Sequence, residues 1–177
     1  FQKYWPFTFM PATPPYYYSF DYGPVHVTVL DQYTTSYDAG SPQLLWLAAD
    51  LAATTKPWKV VMFHDPLWTA YNQDSGPYSR VKQREAVCPI LESNGVRVVV
   101  QGHDHFYARC TVNGIQYLTL GAGGAPLDTN FDITAPNVIT AAAVDHFARF
   151  DVQGSSLTCT VISVKGAQLD TFTTISP

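Results

Sequence analysis

The chain has 177 residues, enough for one ordinary domain, and 46% of them are hydrophobic, so it can bury a sizeable core. Only 14% are Asp, Glu, Lys or Arg, which excludes a disordered tail. The net charge is −4 and no basic stripe is visible, so nothing supports binding to a nucleic-acid backbone. The most apolar stretch, 44–53, contains Asp50 and is far shorter than the ~20 residues of a membrane-spanning helix.

The first 24 residues are rich in aromatic and proline side chains. Because prolines fix φ and remove hydrogen-bond donors, this segment predicts an ordered loop whose rings pack on a surface. We therefore expect residues 1–24 to form an ordered lead segment and residues 25–177 to form the folded part of a domain. The chain starts with Phe and shows no apolar signal-peptide region, so we expect further sequence upstream of it.

Buried strands and helices alternate in the next part of the chain. Three apolar runs predict strands: 25–30, 58–63 and 96–100. Ser41 and Pro42 predict the start of a helix that ends before Pro57, and a second helix is predicted over 78–93 with a kink at Pro89. Nearly continuous apolar strands joined by helices predict a parallel βαβαβ sheet.

The pattern changes after residue 100. Asn113-Gly114 between two alternating runs, 107–112 and 115–120, predicts a tight β-hairpin. Residues 121–140 are rich in Gly, Pro and Asn and predict a loop. Three further alternating runs predict an antiparallel meander: 146–152, 157–164 and 169–174.

Three cysteines are present, Cys88, Cys110 and Cys159, without the CxxC spacing of a zinc or redox motif. Two interpretations stay open, namely one disulfide with a free thiol, or three buried thiols.

Three histidines follow two of the predicted parallel strands. His64 comes directly after the strand 58–63, and His103 and His105 come after the strand 96–100. Because the carboxyl ends of parallel strands meet at one edge of a sheet, we expect these imidazoles to lie close together. Imidazole is the commonest transition-metal ligand in proteins, so the pattern favours a metal site over three polar residues at strand ends.

The residues around these histidines resemble the calcineurin-like metallophosphoesterases, in particular the purple-acid-phosphatase-like branch. The resemblance is carried by Val61-Met62-Phe63-His64 and Gly102-His103-Asp104-His105, and by four further segments: 17–23, 106–109, 120–126 and 147–150. It implies an α/β fold, the second half of a four-layer α-β-β-α sandwich, with a parallel βαβαβ portion followed by an antiparallel hairpin and meander.

The resemblance also implies a dinuclear metal site, with Fe, Zn or Mn, that hydrolyses small phosphoesters. His64 and His103 would bind one ion and His105 the other. The aspartate motifs and the Gly-Asn-His motif of the family do not occur in this chain. We therefore expect a missing N-terminal half of the domain, in the same precursor or in a separate chain, to supply the other ligands, and the 177-residue segment alone to be inactive.

Four neighbouring residues are weaker candidates. Asp65 lines the pocket or shapes its loop, and Asp104 accepts a proton from a ligating imidazole or caps the turn. Tyr107 and Arg109 are candidates for substrate binding because an arginine can hold phosphate through two hydrogen bonds, although a role within the fold is preferred for Arg109.

Other interpretations stay open. The chain is alternatively a catalytically inactive structural or assembly subunit that keeps the fold, or a single-metal binding domain. His26 and His146 are expected to be structural. The low charge and the frequent Tyr, Thr and Pro favour a secreted or cell-surface protein.

Overall fold

The structure, a computed structural model, describes residues 7–71 and 80–176. It contains ten strands and two helices in these ranges. The strands are β1 (Tyr18–Tyr22), β2 (Val25–Val29), β3 (Trp58–Met62), β4 (Val98–Gln101), β5 (Tyr107–Val112), β6 (Ile115–Leu120), β7 (Val138–Ala142), β8 (His146–Gln153), β9 (Ser156–Ser163) and β10 (Gln168–Ile175). The helices are α1 (Pro42–Ala53) and α2 (Val81–Ser93).

Seven strands form one mixed sheet in the order β1-β2-β3-β4-β6-β5-β7. Strands β2, β3, β4 and β6 are parallel neighbours. At one edge β1 is antiparallel to β2, and at the other β5 is antiparallel to β6 and β7 is antiparallel to β5. The predicted βαβαβ unit is thus confirmed as β2-α1-β3-α2-β4. Strands β8, β9 and β10 form a second, antiparallel sheet, which confirms the meander.

Alternate residues of the central strands face two different layers. Val61 and Val99 point to the helices, where they pack with leucines of α1 and α2. Val60 and Val98 point the other way and pack against the three-stranded sheet, on Leu157 and its neighbours. The described residues therefore form three layers, a helix layer and two sheets, as expected for half of an α-β-β-α sandwich.

The local signals for helix ends and for the hairpin are confirmed. Ser41 caps α1, with its hydroxyl accepting from the Leu44 N–H. The helix α2 continues through Pro89 and ends at Ser93, with Asn94 as its C-cap and Gly95 following at φ of 70°. The first residues of the predicted second helix, 78 and 79, lie outside the described residues, as do residues 1–6 of the lead segment.

Two strands form where loops were expected. Residues Tyr18–Tyr22 of the lead segment form β1 because a tight turn at Gly23 folds them back onto β2. Residues Val138–Ala142, which overlap the expected loop 121–140, form β7 by pairing with β5. Both are edge strands, and their partners decide their conformation more than their own sequence does.

All three cysteines are buried and free, Cys88 and Cys110 on the helix side of the large sheet and Cys159 between the sheets. Neither helix of the described part is long and apolar enough to cross a membrane.

Candidate metal centre

The ends of β3 and β4 carry the candidate site. The parallel ladder between these strands continues beyond them, because the Phe63 N–H donates to the Val100 carbonyl (3.1 Å) and the Gly102 N–H donates to the His64 carbonyl (2.9 Å). The two loops therefore leave the sheet side by side. This brings the residues that follow the strands, His64 and His103, to the same edge, as the sequence predicts.

The two imidazoles are in contact. Nε2 of His64 lies 3.3 Å from Nδ1 of His103, and the rings meet edge-on with their planes at 85°. His103 has φ of 65°, a left-handed conformation that is uncommon outside glycine and that turns its ring toward His64. Two nitrogens bound to one ion at about 2.1 Å with a tetrahedral angle lie about 3.4 Å apart. The observed separation therefore fits two ligands of one transition-metal ion.

Two glycines allow this close packing. A Cβ on Gly102 would lie 3.3 Å from Nδ1 of His64, so a side chain there would push against the ring. A Cβ on Gly121 would overlap the backbone carbonyl of Asp104, in the middle of the histidine turn. The loop after β6 thus sets the position of the turn that carries His103.

Asp65 lies beside the two histidines. Its Oδ1 is 3.3 Å from Nδ1 of His103 and accepts a hydrogen bond from the Tyr33 hydroxyl (2.8 Å). His64, Asp65 and His103 each offer one ligand atom, and these three atoms lie within 4.8 Å of one another. In the described part of the chain, no other group of three or more His, Cys, Asp or Glu residues comes this close. Desolvation and the hydrogen bond to Asp65 raise the pKa of Tyr33 to about 12, so its hydroxyl stays a donor at neutral pH.

Three glutamine side chains form hydrogen bonds with the backbone of the loops around the site. The Asp65 N–H donates to Gln32 Oε1, and Gln32 Nε2 donates back to the Asp65 carbonyl (3.1 Å). Gln43 holds Asp31 in the same two-bond manner (2.7 and 2.8 Å). Gln101 accepts from the Leu67 N–H (2.7 Å) and donates to the Trp68 carbonyl (2.8 Å).

Sequence reasoning missed these glutamines. One of them carried a signal, since Gln43 lies four residues before Leu47 and therefore on the buried face of α1, where a polar side chain needs a partner. Gln32 and Gln101 carried none, because a glutamine at the end of a strand or after it is equally typical of an exposed loop.

His105 does not belong to the close group of donors. Its Nδ1 lies 3.0 Å from the Pro126 carbonyl, to which it donates when that nitrogen carries the proton. This arrangement leaves Nε2 as the acceptor nitrogen. A ligating histidine commonly donates its other ring N–H to a carbonyl in this way.

Asp104 lies between the two histidines in sequence, and its side chain contacts Thr69. Its side chain is buried and accepts a hydrogen bond from the Thr69 hydroxyl (2.6 Å), which joins the histidine turn to the loop after β3. Burial raises the pKa of Asp104, although the bond from Thr69 opposes that shift. The two roles expected from the sequence, toward a ligating imidazole or within the turn, stay predictions.

Comparison with known proteins identifies the family of the chain. The model of the calcineurin-like phosphoesterase family matches residues 3–107, which is more than half of the chain. The chain belongs to the calcineurin-like phosphoesterase family. The resemblance inferred from the two histidine motifs is thereby confirmed.

Individual relatives place the chain in the purple-acid-phosphatase-like branch. It is 36% identical to purple acid phosphatase 18 of Arabidopsis thaliana over 121 residues, which are 61% of this chain and 26% of that protein. It is 31% identical to a purple acid phosphatase of Glycine max over 141 residues, 76% of this chain and 29% of that protein. The chain thus spans about a quarter of the length of these curated relatives.

Among solved structures, the fold is similar to that of the purple acid phosphatase PPD1 from yellow lupin (Lupinus luteus). The TM-score is 0.74 at 20% identity, over 89% of this chain and 32% of the lupin chain. At this identity the likeness concerns the fold, and it supports the expected half of a metallophosphoesterase sandwich.

The other two candidate residues, Tyr107 and Arg109, share a hydrogen-bond partner within the fold. Asp170 of β10 accepts hydrogen bonds from the Tyr107 hydroxyl (2.7 Å) and from the Arg109 guanidinium (2.6 and 3.2 Å). These bonds join the two sheets, which is the structural role preferred for Arg109. Substrate binding by Tyr107 and Arg109 stays a prediction.

His26 and His146 are both buried, as expected for structural residues. His26 lies between two carboxylates, Asp21 (2.8 Å) and Asp50 (3.0 Å). Nδ1 of His146 lies 2.7 Å from the Val144 carbonyl, and burial lowers the pKa of this imidazole.

A cavity of about 770 Å³ opens beside His64. Its walls come from the lead segment and from the residues that follow β2, and most of them are apolar or aromatic. The lining residues include Met10, Tyr16, Tyr18, Leu30 and Tyr33. The cavity provides space next to the candidate metal ligands.

Proposed function

We propose that this protein hydrolyses phosphoesters with a dinuclear metal site, to which this chain contributes His64, His103 and His105. Membership of the calcineurin-like family supports a metal-dependent phosphoesterase. The observation that carries the proposal for this chain is the 3.3 Å separation of His64 Nε2 and His103 Nδ1 at the shared edge of β3 and β4.

One ion is bound by His64 and His103 in this proposal. Imidazole nitrogens suit both zinc and iron, and manganese prefers the oxygen ligands that the rest of the domain would supply, so all three ions stay candidates. His105, whose acceptor nitrogen is Nε2, binds the second ion.

The two ions need ligands beyond these histidines. Three neutral imidazoles carry no charge, whereas paired dications about 3.5–4 Å apart require anionic ligands between them. We propose that a further part of the domain, in the same polypeptide or in a separate chain, supplies these carboxylates. The short span of this chain against its curated relatives supports that division, and we expect this segment by itself to be inactive.

When bound, the ions supply Lewis acidity toward the phosphoryl group and lower the pKa of water for the attack on phosphorus. The residues of this chain position the ligands. Gln32 fixes the backbone beside His64, Gly102 leaves room for its ring, and the Thr69–Asp104 hydrogen bond fixes the turn that carries His103. The cavity beside His64 accommodates the organic part of a small phosphoester.

The function is tested by activity and metal content in the native polypeptide that contains this chain. His64→Ala and His103→Ala should each lower the hydrolysis of p-nitrophenyl phosphate by at least a hundredfold and reduce the metal per protein, because each removes a ligand. His146→Asn is the matched control, since it replaces a buried histidine and keeps a donor toward the Val144 carbonyl.

Other outcomes of this experiment select the alternative functions. Absence of hydrolysis and of bound metal in the wild type would indicate a structural subunit. One tightly bound ion without hydrolysis would indicate a single-metal binding domain. Equal losses for all three variants would show that the ligands are assigned to the wrong histidines.

We also propose that the protein is secreted or lies at the cell surface. The low content of charged residues supports this location. Fractionation of the producing cells tests it, and recovery of the protein only from the cell interior would contradict it.

A further inference from the structure

The family motifs of this chain contain histidine ligands, but the structure adds a carboxylate at the same place. Oδ1 of Asp65 lies 3.3 Å from His103 Nδ1, the same separation as that between the two imidazole nitrogens. One ligand atom each from Asp65, His64 and His103 lies within 4.8 Å of the others. Three donors at these distances are close enough to surround one ion after a small movement.

The carboxylate of Asp65 is oriented by its neighbours. The Tyr33 hydroxyl donates to Oδ1 (2.8 Å), and an Arg80 nitrogen lies 3.7 Å from Oδ2. A carboxylate offers about four lone-pair positions, so these contacts leave room for an ion. The Gln32 side chain fixes the backbone of the same residue through both Asp65 N–H and Asp65 C=O. Because the Tyr33 and Arg80 contacts already restrict the Asp65 side chain, little side-chain entropy is lost when the carboxylate binds an ion.

We propose that Asp65 is a direct ligand of the ion held by His64 and His103, which makes a two-histidine, one-carboxylate site for a divalent transition ion such as Zn²⁺. The inference rests on the proposed function because it concerns the same ion. Two neutral imidazoles leave the full charge of a dication uncompensated, and a carboxylate beside them offsets half of it. This chain then binds one ion without ligands from elsewhere, while the second ion still depends on them.

Zinc affinity of the 177-residue chain tests this assignment without any activity measurement. Zn²⁺ is titrated against a chromophoric chelator for the wild type and for Asp65→Asn, which keeps the size of the side chain and an oxygen for the Tyr33 hydroxyl. We expect one tight equivalent in the wild type and an affinity at least tenfold lower in Asp65→Asn. Asp38→Asn is the control, because it removes the same charge from an exposed carboxylate paired with Lys82.

The results separate this inference from the proposed function. Wild-type affinity in Asp65→Asn, together with a large loss in His64→Ala and His103→Ala, overturns the role of Asp65 and leaves the histidine pair intact. Unchanged affinity in all three variants overturns the histidine pair as well.

A second measurement uses only wild-type protein, so it tests the binding of the carboxylate to the ion even where Asp65→Asn does not fold. Zinc added to wild-type protein with ¹³C-labelled aspartate carboxyl groups should shift one carboxylate stretching band in the infrared difference spectrum. Absence of any shift at one equivalent of bound zinc would contradict the proposal.

Discussion

At the scale of single residues, the site depends on how closely the chain packs around the histidine turn. His103 has φ of 65°, a conformation that costs an L residue about 1–2 kcal/mol and persists where the surroundings enforce it. Gly121 is part of those surroundings, since its Cα faces the Asp104 carbonyl. The turn and the loop after β6 therefore hold each other in place.

Replacement of Gly121 tests this packing. Gly121→Ala should lower the free energy of unfolding by about 1–3 kcal/mol, because the new methyl group overlaps backbone that cannot rotate away. It should also weaken zinc binding, since the Asp104 backbone that moves lies next to His103. Urea denaturation and the zinc titration measure the two effects.

Gly123→Ala is the matched control. A Cβ at Gly123 meets no atom within 4 Å, so its stability should change by less than about 0.5 kcal/mol. Similar losses in the two variants would mean that the whole loop resists substitution and that the contact with Asp104 is not the cause.

At this scale the sequence predicts that the two imidazoles lie close together, but not which residues support them. His64 and His103 were predictable because each directly follows an apolar strand, and parallel strands end at one edge. The roles of Asp104 and Gln32 were not, because each depends on a contact between different loops, with Thr69 and with the Asp65 backbone. Such contacts leave no periodic pattern in the sequence.

At the scale of elements, one carboxylate joins the two sheets. Asp170 of β10 accepts from Tyr107 and Arg109 of β5, and the side chains of Arg109 and Asp170 are 13% and 12% exposed. An ion pair that is this buried leaves an uncompensated charge when one partner is removed. The three-stranded sheet is therefore fixed to the large sheet by more than apolar packing.

Removal of this carboxylate should destabilise the fold strongly. Asp170→Ala is expected to lower the free energy of unfolding by about 3 kcal/mol, because Arg109 and the Tyr107 hydroxyl both lose their partner. Denaturant unfolding followed by circular dichroism measures the loss.

Asp151→Ala provides the comparison. It removes a carboxylate paired with Arg149 on β8, where both side chains are more than half exposed. The expected change is about 0.5 kcal/mol or less, as for other surface ion pairs. A loss for Asp170→Ala as small as this would show that the bonds between the sheets add little.

Elements were predictable where their signals are local. The hairpin of β5 and β6 follows from Asn113-Gly114, whose positive φ values of 50° and 79° suit a tight turn. The edge strands β1 and β7 were not predictable, because a proline-rich segment and an alanine-rich segment become strands only through pairing with β2 and β5.

At the scale of the whole molecule, the order of the elements creates the site. The chain places β3 and β4 side by side in parallel, so two histidines 39 residues apart meet at one edge of the sheet. Helices cover one face of that sheet and the second sheet covers the other, which keeps the strand ends fixed. The proposed ligands of one ion are thereby brought together by the fold and not by a single motif.

The location of a bound ion tests this account most directly. Crystals of the protein grown with zinc are measured at the zinc absorption edge, so that the anomalous difference map shows the ion itself. The account predicts a peak about 2.0–2.1 Å from both His64 Nε2 and His103 Nδ1. A fully occupied zinc peak elsewhere in the molecule, with these two imidazoles free of metal, would contradict it.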